Sequence, residues 1–203
     1  LLIAAPYYTN QIEVIRHIVK SLPIGYVLYV KENPAQNIRY WRDIDEYKEI
    51  MDIPNVRLFH PDVSAESLFQ KCSLVITIGG SSGLDAAFYQ KPSIVFTDLG
   101  YTALPSVSLV DNITDLPRII RESLQKEVSS DDLDKYLKIV HDNSFDFDNL
   151  GFEKNYNSFF YHDGHYLSVE IQESKMSKFL KENQVVLERL SSEYEKKITD
   201  HKR

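Results

Sequence analysis

The chain has 203 residues, of which 43% are hydrophobic and 26% are charged, and its formal net charge is −7. This composition is ordinary for a soluble globular protein of one or two domains. The acidic balance argues against nucleic-acid binding, because contacts with a phosphate backbone need clustered Lys and Arg residues. No apolar run approaches the ~20 residues that cross a bilayer, so we expect no transmembrane segment. The single cysteine, Cys72, excludes an intramolecular disulfide and fits a reducing, cytoplasmic location.

Strand-like and helix-like segments alternate through the first two thirds of the chain. Apolar runs predict strands at residues 1–5, 26–31, 55–59, 74–78, 93–96 and 107–110. Helical spacing predicts helices at 11–21, 44–51, 64–71, 82–90 and 114–127, with Asn10 and Ser64 as caps. This alternation is typical of a doubly wound α/β domain, here residues 1–127, whose parallel sheet is covered on both faces. Ligands bind such domains at the carboxyl ends of the strands.

The character of the chain changes after residue 127. A short helix is predicted at 133–141 and one long helix at 166–198, so residues 128–203 are expected to form a helical C-terminal extension. The long helix carries an apolar stripe made up of Met176, Phe179, Val186, Leu190 and Tyr194. Such a stripe needs a packing partner. Because the chain opens at Leu1 inside a strand-like run, without a Met, we expect it to be a fragment of a longer protein.

A run of five small residues, GGSSG at 79–83, is the strongest candidate for a binding site. Glycine lets the backbone approach a ligand closely, and serine hydroxyls can bind phosphate oxygens. The run also precedes a predicted helix, whose first N–H groups favour an anion. It lacks the lysine of a Walker loop and the spacing of G-x-G-x-x-G. We predict a phosphate or nucleotide-diphosphate site at Gly79, Gly80, Ser81 and Ser82; the alternative is a tight turn in which Ser82 caps the helix.

Other polar residues are expected at the same edge of the sheet. Asp85 either closes the helix start as a capping-box acid or holds the ribose hydroxyls of a nucleotide. Lys31 could neutralise a phosphate, and Asn33 could bind a phosphate or a base, although both also suit a plain strand exit. Asp98 and Tyr101 follow the fifth strand and could contact a sugar or base; ordinary loop polarity is the alternative.

The segment HDGH at 162–165 has a spacing that occurs in metal sites. No cysteine or second carboxylate cluster supports that interpretation, so we predict a structured turn and no metal. Arg39, Arg42 and Arg57 are expected to be solvated. The sequence contains no recognisable Ser-His-Asp set, and no residue in it is a convincing general base.

The order of these motifs resembles the C-terminal, donor-binding half of GT-B glycosyltransferases. The matching segments are the K-x-x-P loop at 31–34, NVRL at 55–58, SAESLF at 64–69, TIGGSSGLD at 77–85 and KPSIVF at 91–96. Within that fold the chain is most similar to the capsule polysaccharide biosynthesis group, which includes Kdo transferases, and to the glycerophosphotransferases of teichoic acid synthesis. The resemblance covers residues 1–127 and implies a Rossmann-like half of a GT-B fold that binds a cytidine-nucleotide donor.

The resemblance also implies which residues hold the donor. Those families use a His-Pro loop and a Ser-Ser turn. Here Asn33-Pro34 stands in place of the His-Pro pair, and Ser81-Ser82 match the Ser-Ser pair. Asp85 occupies the position of the helix acid, which is often Glu in the glycosyltransferases and Asp in the glycerophosphotransferases. Asn33 departs from the pattern, because an amide cannot be protonated as a histidine can.

The function that this resemblance implies is the donor-binding part of an inverting, metal-independent glycosyltransferase of surface or capsular polysaccharide synthesis. Its donor would be a nucleotide-activated sugar, with no further cofactor, and its acceptor a glycan or a lipid-linked glycan at the inner face of the membrane. A missing N-terminal domain would supply the acceptor site. Three alternatives stay open: a polyol-phosphate (glycerophospho) transferase, a nucleotide-sugar 2-epimerase, and a non-catalytic module that binds a nucleotide sugar or docks a partner.

Overall fold

The computed structural model describes residues 5–33, 42–162, 165–166 and 171–201 of the chain. The protein is α/β and divides into two compact units, Leu1–Val140 and His141–Arg203. Of the strand predicted at 1–5, residues 1–4 lie outside the described residues, and Ala5 is buried without regular structure.

Strands and helices alternate through the described residues of the first unit. The strands are β1 (Leu28–Lys31), β2 (Val56–Phe59), β3 (Val75–Thr77), β4 (Ser93–Val95) and β5 (Val107–Leu109). The helices are α1 (Gln11–Ser21), α2 (Ile44–Asp52), α3 (Ala65–Phe69), α4 (Ser82–Phe88), α5 (Leu116–Ser123) and α6 (Ser130–Asp142), with a 3₁₀ helix at Gly100–Ala103. Every strand predicted from residue 26 onwards is therefore confirmed, with slightly shorter bounds.

The strands form two parallel sheets. In the first, β1 pairs with β2, and Leu28 lies opposite Val56. In the second, the strand order is β3-β4-β5, with Ile76 opposite Ile94 and Ile94 opposite Ser108. Parallel neighbours need crossover connections, which α2 supplies between β1 and β2 and α4 supplies between β3 and β4. The carboxyl ends of β3, β4 and β5 consequently share one edge.

The three-stranded sheet is covered on both faces, as predicted. Successive side chains of a strand point to opposite faces. On one face Ile94 packs against α1 and α5, and on the other Val95 packs with Ala87 of α4 and Leu133 of α6. Ile94 and Val95 are fully buried. A buried aliphatic side chain of this size contributes roughly 1.5–3 kcal/mol to the stability of the fold.

The two-stranded sheet packs against α1 and α2, and α1 also packs against the three-stranded sheet. Ile12 of α1 and Ile50 of α2 bury against Val56 of β2. Leu28 of β1 contacts this cluster and also the cluster around Ile94. Because α1 contributes to both clusters, the two sheets belong to one continuous core within the first unit.

Two predicted helix starts are confirmed by their capping bonds. The Oδ1 atom of Asn10 accepts a hydrogen bond from the N–H of Glu13 at 3.2 Å, which begins α1. The Oγ atom of Ser64 accepts from the N–H of Ser67 at 3.4 Å, which begins α3. Each bond satisfies a backbone donor that the first helical turn leaves without an intrahelical partner.

The first unit extends beyond residue 127, where the sequence prediction placed its boundary. Leu133 of α6 is buried, and Tyr136 packs beside it in the cluster that contains Val95. These side chains complete the core on one face of the three-stranded sheet. The compact units consequently separate between Val140 and His141.

The second unit is organised around aromatic rings. It contains α7 (Asn149–Phe160), an antiparallel pair β6 (Tyr161–His162) and β7 (His165–Tyr166), α8 (Glu173–Glu182) and α9 (Gln184–His201). Phe179 of α8 is buried. Its ring centroid lies 5.0–6.2 Å from those of Phe152, Tyr156, Phe159 and Phe160 in α7. These contacts hold α8 against α7.

The prediction of one long helix at 166–198 is wrong. Tyr166 belongs to β7, and Asn183 separates α8 from α9. The buried Nδ2 atom of Asn183 donates to the carbonyl oxygen of Phe179 and to Oδ1 of Asn155, both at 2.9 Å. A side-chain amide that binds the carbonyl four residues earlier competes with the helical ladder. Of the predicted stripe, Phe179 is buried but Tyr194 is 65% exposed.

No helix among the described residues is long and apolar enough to span a bilayer.

Candidate functional site

The Gly-Ser turn, residues 79–83, follows β3 at the carboxyl edge of the three-stranded sheet. Gly79 and Ser81 are exposed there. The N–H of Gly80 donates to Oγ1 of Thr77 at 3.1 Å, and a Cβ atom added at Gly80 would lie 2.9 Å from the same oxygen. Thr77 therefore closes the turn from the end of the strand, a role that the sequence analysis did not assign to it.

The predicted start of α4 at Ser82 is confirmed, but the capping residue differs by one position from the alternative that the sequence offered. Ser81, not Ser82, occupies the capping position, and its carbonyl oxygen accepts the N–H of Asp85 at 2.9 Å. A capping-box acid lies three residues after the capping residue. Asp85 lies four residues after Ser81, so a capping box is not formed. The Oδ2 atom of Asp85 lies 3.5 Å from Oγ of Ser81, at the limit of a hydrogen bond. Both residues are exposed, so a hydroxyl and a carboxylate face solvent side by side.

The glycines at the two ends of the turn are required by contacts within the protein. A Cβ atom on Gly79 would lie 2.9 Å from Cγ2 of Thr97. A Cβ atom on Gly83 would lie 2.7 Å from the hydroxyl oxygen of Tyr101. Neither glycine has a positive φ angle. Packing alone thus accounts for these small residues, and the exposed Ser81 is a better indication of a ligand than the number of glycines.

Tyr101 supports the turn from inside the protein. Its side chain is only 7% exposed and packs in the cluster with Ala87 and Leu104. Its hydroxyl donates to the carbonyl oxygen of Gly80. Burial, together with the nearby carboxylate of Asp85, raises the pKa of Tyr101 to about 12, so the hydroxyl stays a protonated donor. The sequence analysis expected Tyr101 to contact a sugar or base, but in the structure its hydroxyl binds the turn.

Asp98 lies in the loop that follows β4, on the same edge as the turn. Its carboxylate is exposed and accepts a hydrogen bond from Oγ1 of Thr102. Thr102 belongs to the 3₁₀ helix that also carries Tyr101. The predicted contact of Asp98 with a sugar or base stays a prediction.

The other predicted donor contacts that the structure describes, Lys31 and Asn33, are at the carboxyl end of β1 in the two-stranded sheet. Lys31 is the last residue of β1, and its Nζ atom donates to the carbonyl oxygen of Glu32 at 3.3 Å. Asn33 follows in the loop, and Pro34 lies outside the described residues. The structure therefore groups the Gly-Ser turn with Asp85 and Tyr101, whereas Lys31 ends a strand of the other sheet and Asn33 lies in the loop that follows it.

A polar cluster beside Lys31 was missed from the sequence. The Nε atom of Arg42 lies 3.0 Å from Oε2 of Glu32, and these side chains are only 17% and 10% exposed. Arg42 also donates to Oε1 of Gln11, at the start of α1. The prediction that Arg42 is solvated is wrong, Arg57 is exposed as expected, and Arg39 lies outside the described residues. The partners lie ten or more positions apart along the chain, so no local spacing marks them.

A surface groove of about 760 Å³ lies between α1 and α2, away from the Gly-Ser turn. Its lining includes Pro54 and Asn55, which precede β2, so it opens at the amino end of that strand. Four of the charges in its lining pair with one another, since Arg16 lies 2.6 Å from Glu49 and Lys48 lies 2.9 Å from Asp45. The volume of this groove consequently does not indicate the binding site that the strand order predicts.

The described residues contain no group of three or more His, Cys, Asp or Glu side chains that could hold a metal ion. Cys72 is partly buried, and its thiol donates to the carbonyl oxygen of Phe69 at 3.5 Å. Burial raises the pKa of this thiol, which keeps it protonated and unreactive.

The elements described so far define a Rossmann-like α/β protein with a polar turn at the carboxyl edge of its sheet. Residues 8–104 match the model of a family described as capsule polysaccharide biosynthesis protein. This match covers just under half of the chain and includes the whole Gly-Ser turn. It supports a role in the synthesis of surface polysaccharide. No curated protein and no solved structure matches the chain significantly.

Proposed function

We propose that this chain contains the donor-binding half of a GT-B glycosyltransferase of surface or capsular polysaccharide synthesis. The donor is a nucleotide-activated sugar, and cytidine is the nucleotide that we expect. The reaction needs no metal and takes place at the cytoplasmic face of the membrane, on a glycan or lipid-linked acceptor. A further domain brings that acceptor.

The observation that carries this proposal is the family match over residues 8–104. That segment begins just before α1 and ends just after Tyr101. It contains both segments that the sequence analysis assigned to donor binding, the loop at 31–34 and the Gly-Ser turn. Within it, Ser81 and Asp85 are exposed polar residues at a carboxyl edge of parallel strands, where ligands of such folds bind.

The chemistry of the turn suits a nucleotide phosphate. The hydroxyl of Ser81 and the backbone N–H groups at the start of α4 can donate hydrogen bonds to phosphate oxygens. The carboxylate of Asp85 can accept from ribose hydroxyls. In an inverting transfer, donors aimed at the leaving phosphate stabilise it as negative charge develops there. Hydrogen bonds to a charged group contribute about 1.5–3 kcal/mol each.

Transfer of a polyol phosphate is the second candidate. The residue at the helix-acid position is Asp85, the acid that the resembling glycerophosphotransferases carry there. Both candidates need the same nucleotide subsite and differ in the group that is transferred. Turnover with a nucleotide-activated sugar against turnover with a nucleotide-activated polyol, measured with the acceptor domain present, separates them.

Calorimetric titration of the 203-residue chain with CMP, CDP, UDP and GDP tests the nucleotide subsite. We expect binding with a preference for the cytidine nucleotides. Ser81→Ala should weaken binding by roughly 10- to 100-fold, the equivalent of one charge-assisted hydrogen bond.

Ser73→Ala is the matched control, because Ser73 is also exposed but precedes β3 at the opposite end of the strand. Its affinity should equal that of the unmodified chain. A folded chain that binds none of the four nucleotides would instead favour a non-catalytic docking module.

A further inference from the structure

We propose that Tyr101 is a positioning residue that holds the Gly-Ser turn in the shape that binds a nucleotide phosphate. This inference rests on the proposed function, because it concerns the same subsite. It assigns to Tyr101 an action through the backbone of the turn and no contact with the donor itself.

The first support is the hydrogen bond between Tyr101 and the turn. The hydroxyl donates to the carbonyl oxygen of Gly80, while the N–H of the same residue donates to Thr77. Tyr101 therefore holds the peptide group that follows Gly80, and Thr77 holds the peptide group that precedes it. Since the N–H groups that follow are the ones that could meet a phosphate, fixing Gly80 fixes their direction.

The second support is steric. The hydroxyl and ring of Tyr101 fill the space that a side chain at Gly83 would occupy, at 2.7 and 2.9 Å respectively from an added Cβ atom. The first turn of α4 consequently rests directly on the tyrosine. The side-chain hydroxyl of Ser93 in β4 also donates to the carbonyl oxygen of Gly83 at 2.9 Å, which ties the same residue to the sheet.

The third support is the rigidity of Tyr101 itself. It is buried in a cluster with Val95, Leu104 and Leu133, so its position is set by the sheet and by α6. The loop between β4 and Tyr101 adds a further contact, because Thr97 lies against Gly79. The segment that follows β4 thus contacts the turn at both of its ends, through Thr97 and through the buried Tyr101.

The test compares Tyr101→Phe with the unmodified 203-residue chain. Phenylalanine keeps the ring and removes only the hydroxyl, so the variant should fold. We expect its dissociation constant for the nucleotide of the CMP, CDP, UDP and GDP panel that binds best to rise roughly 3- to 10-fold, the equivalent of one neutral hydrogen bond. Both titrations are run at a temperature where both chains are fully folded.

Amide hydrogen exchange without nucleotide supplies a second readout. The amides of residues 79–83 should exchange faster in Tyr101→Phe, and those of β4 should not. Tyr26→Phe is the control, because Tyr26 is exposed and precedes the amino end of β1, whereas the turn follows the carboxyl end of β3. It should change neither the exchange of the turn nor the affinity.

Three results would overturn the inference or its basis, and they are distinguishable. Unchanged exchange in the turn means that Tyr101 does not fix it. An unchanged dissociation constant with a lower melting temperature means that Tyr101 serves the fold alone. An unmodified chain that binds none of the four nucleotides overturns the proposed function, and with it the role of Tyr101 in donor binding.

Discussion

Replacing Gly83 with alanine is expected to destabilise the first unit, although alanine normally favours a helix. An added Cβ atom would lie 2.7 Å from the hydroxyl oxygen of Tyr101 and 2.9 Å from its Cε2 atom. Carbon atoms do not pack at these distances, so either Tyr101 or α4 has to move. Tyr101 is held by burial and by its hydrogen bond to Gly80, and any movement weakens both.

Three contributions set the size of the effect. Overpacking a well-filled core costs about 1–3 kcal/mol. Loss of the bond between Tyr101 and Gly80 costs about 1 kcal/mol more. The higher helix propensity of alanine returns about 1 kcal/mol. The free energy of unfolding should therefore fall by about 1–3 kcal/mol, because the steric cost exceeds the gain in propensity.

Urea unfolding followed by circular dichroism measures this change. Gly100→Ala is the matched control, since the nearest atom to an added Cβ there is the hydroxyl oxygen of Tyr136 at 3.8 Å, an ordinary contact. Its stability should stay within about 0.5 kcal/mol of the unmodified chain. If Gly83→Ala proves as stable as Gly100→Ala, the close contact between the turn and Tyr101 is not a constraint and the reasoning fails.

Arg42→Met leaves the carboxylate of Glu32 largely buried without its partner and should lower the free energy of unfolding in urea by about 2–3 kcal/mol. The double variant Glu32→Gln, Arg42→Met should recover most of this loss; no recovery would mean that the ion pair is not the cause. Phe179→Ala removes the central ring of the aromatic cluster and should cost the second unit about 3–5 kcal/mol, seen as faster proteolysis within α7 and α8. Because the pKa of Tyr101 is raised from 10.0 to about 12, the unfolded chain loses this proton first as the pH rises. Stability, followed as the urea midpoint, should therefore fall between about pH 10 and pH 12, and Tyr101→Phe should lack that part of the fall.

The strands and helices of the first unit follow from local patterns in the sequence. The apolar run that contains Ile94 predicts a buried strand because it is short, β-branched and bounded by Pro92. The caps at Asn10 and Ser64 are likewise local, since each side chain binds a backbone group three residues away. Features of this kind need no knowledge of the rest of the fold.

The parts of the candidate site that could not be predicted depend on distant residues or on backbone angles. Arg42 and Tyr101 acquire their roles only when Glu32 and Gly80 are brought to them by the fold. The cap falls on Ser81 because of the local turn geometry, and two adjacent serines give no basis for choosing between them. The break at Asn183 depends on an amide that binds backbone, which apolar spacing does not reveal.

The packing of α6 on the sheet determines how the protein can be divided into fragments. A chain cut after residue 104, where the family match ends, or after residue 127 would lack Leu133 and Tyr136. The apolar surface left beside Tyr101 would promote aggregation. The Gly-Ser turn would then stand on an incomplete support, even though every residue of the turn is present. A fragment intended for binding measurements therefore has to extend to about residue 140.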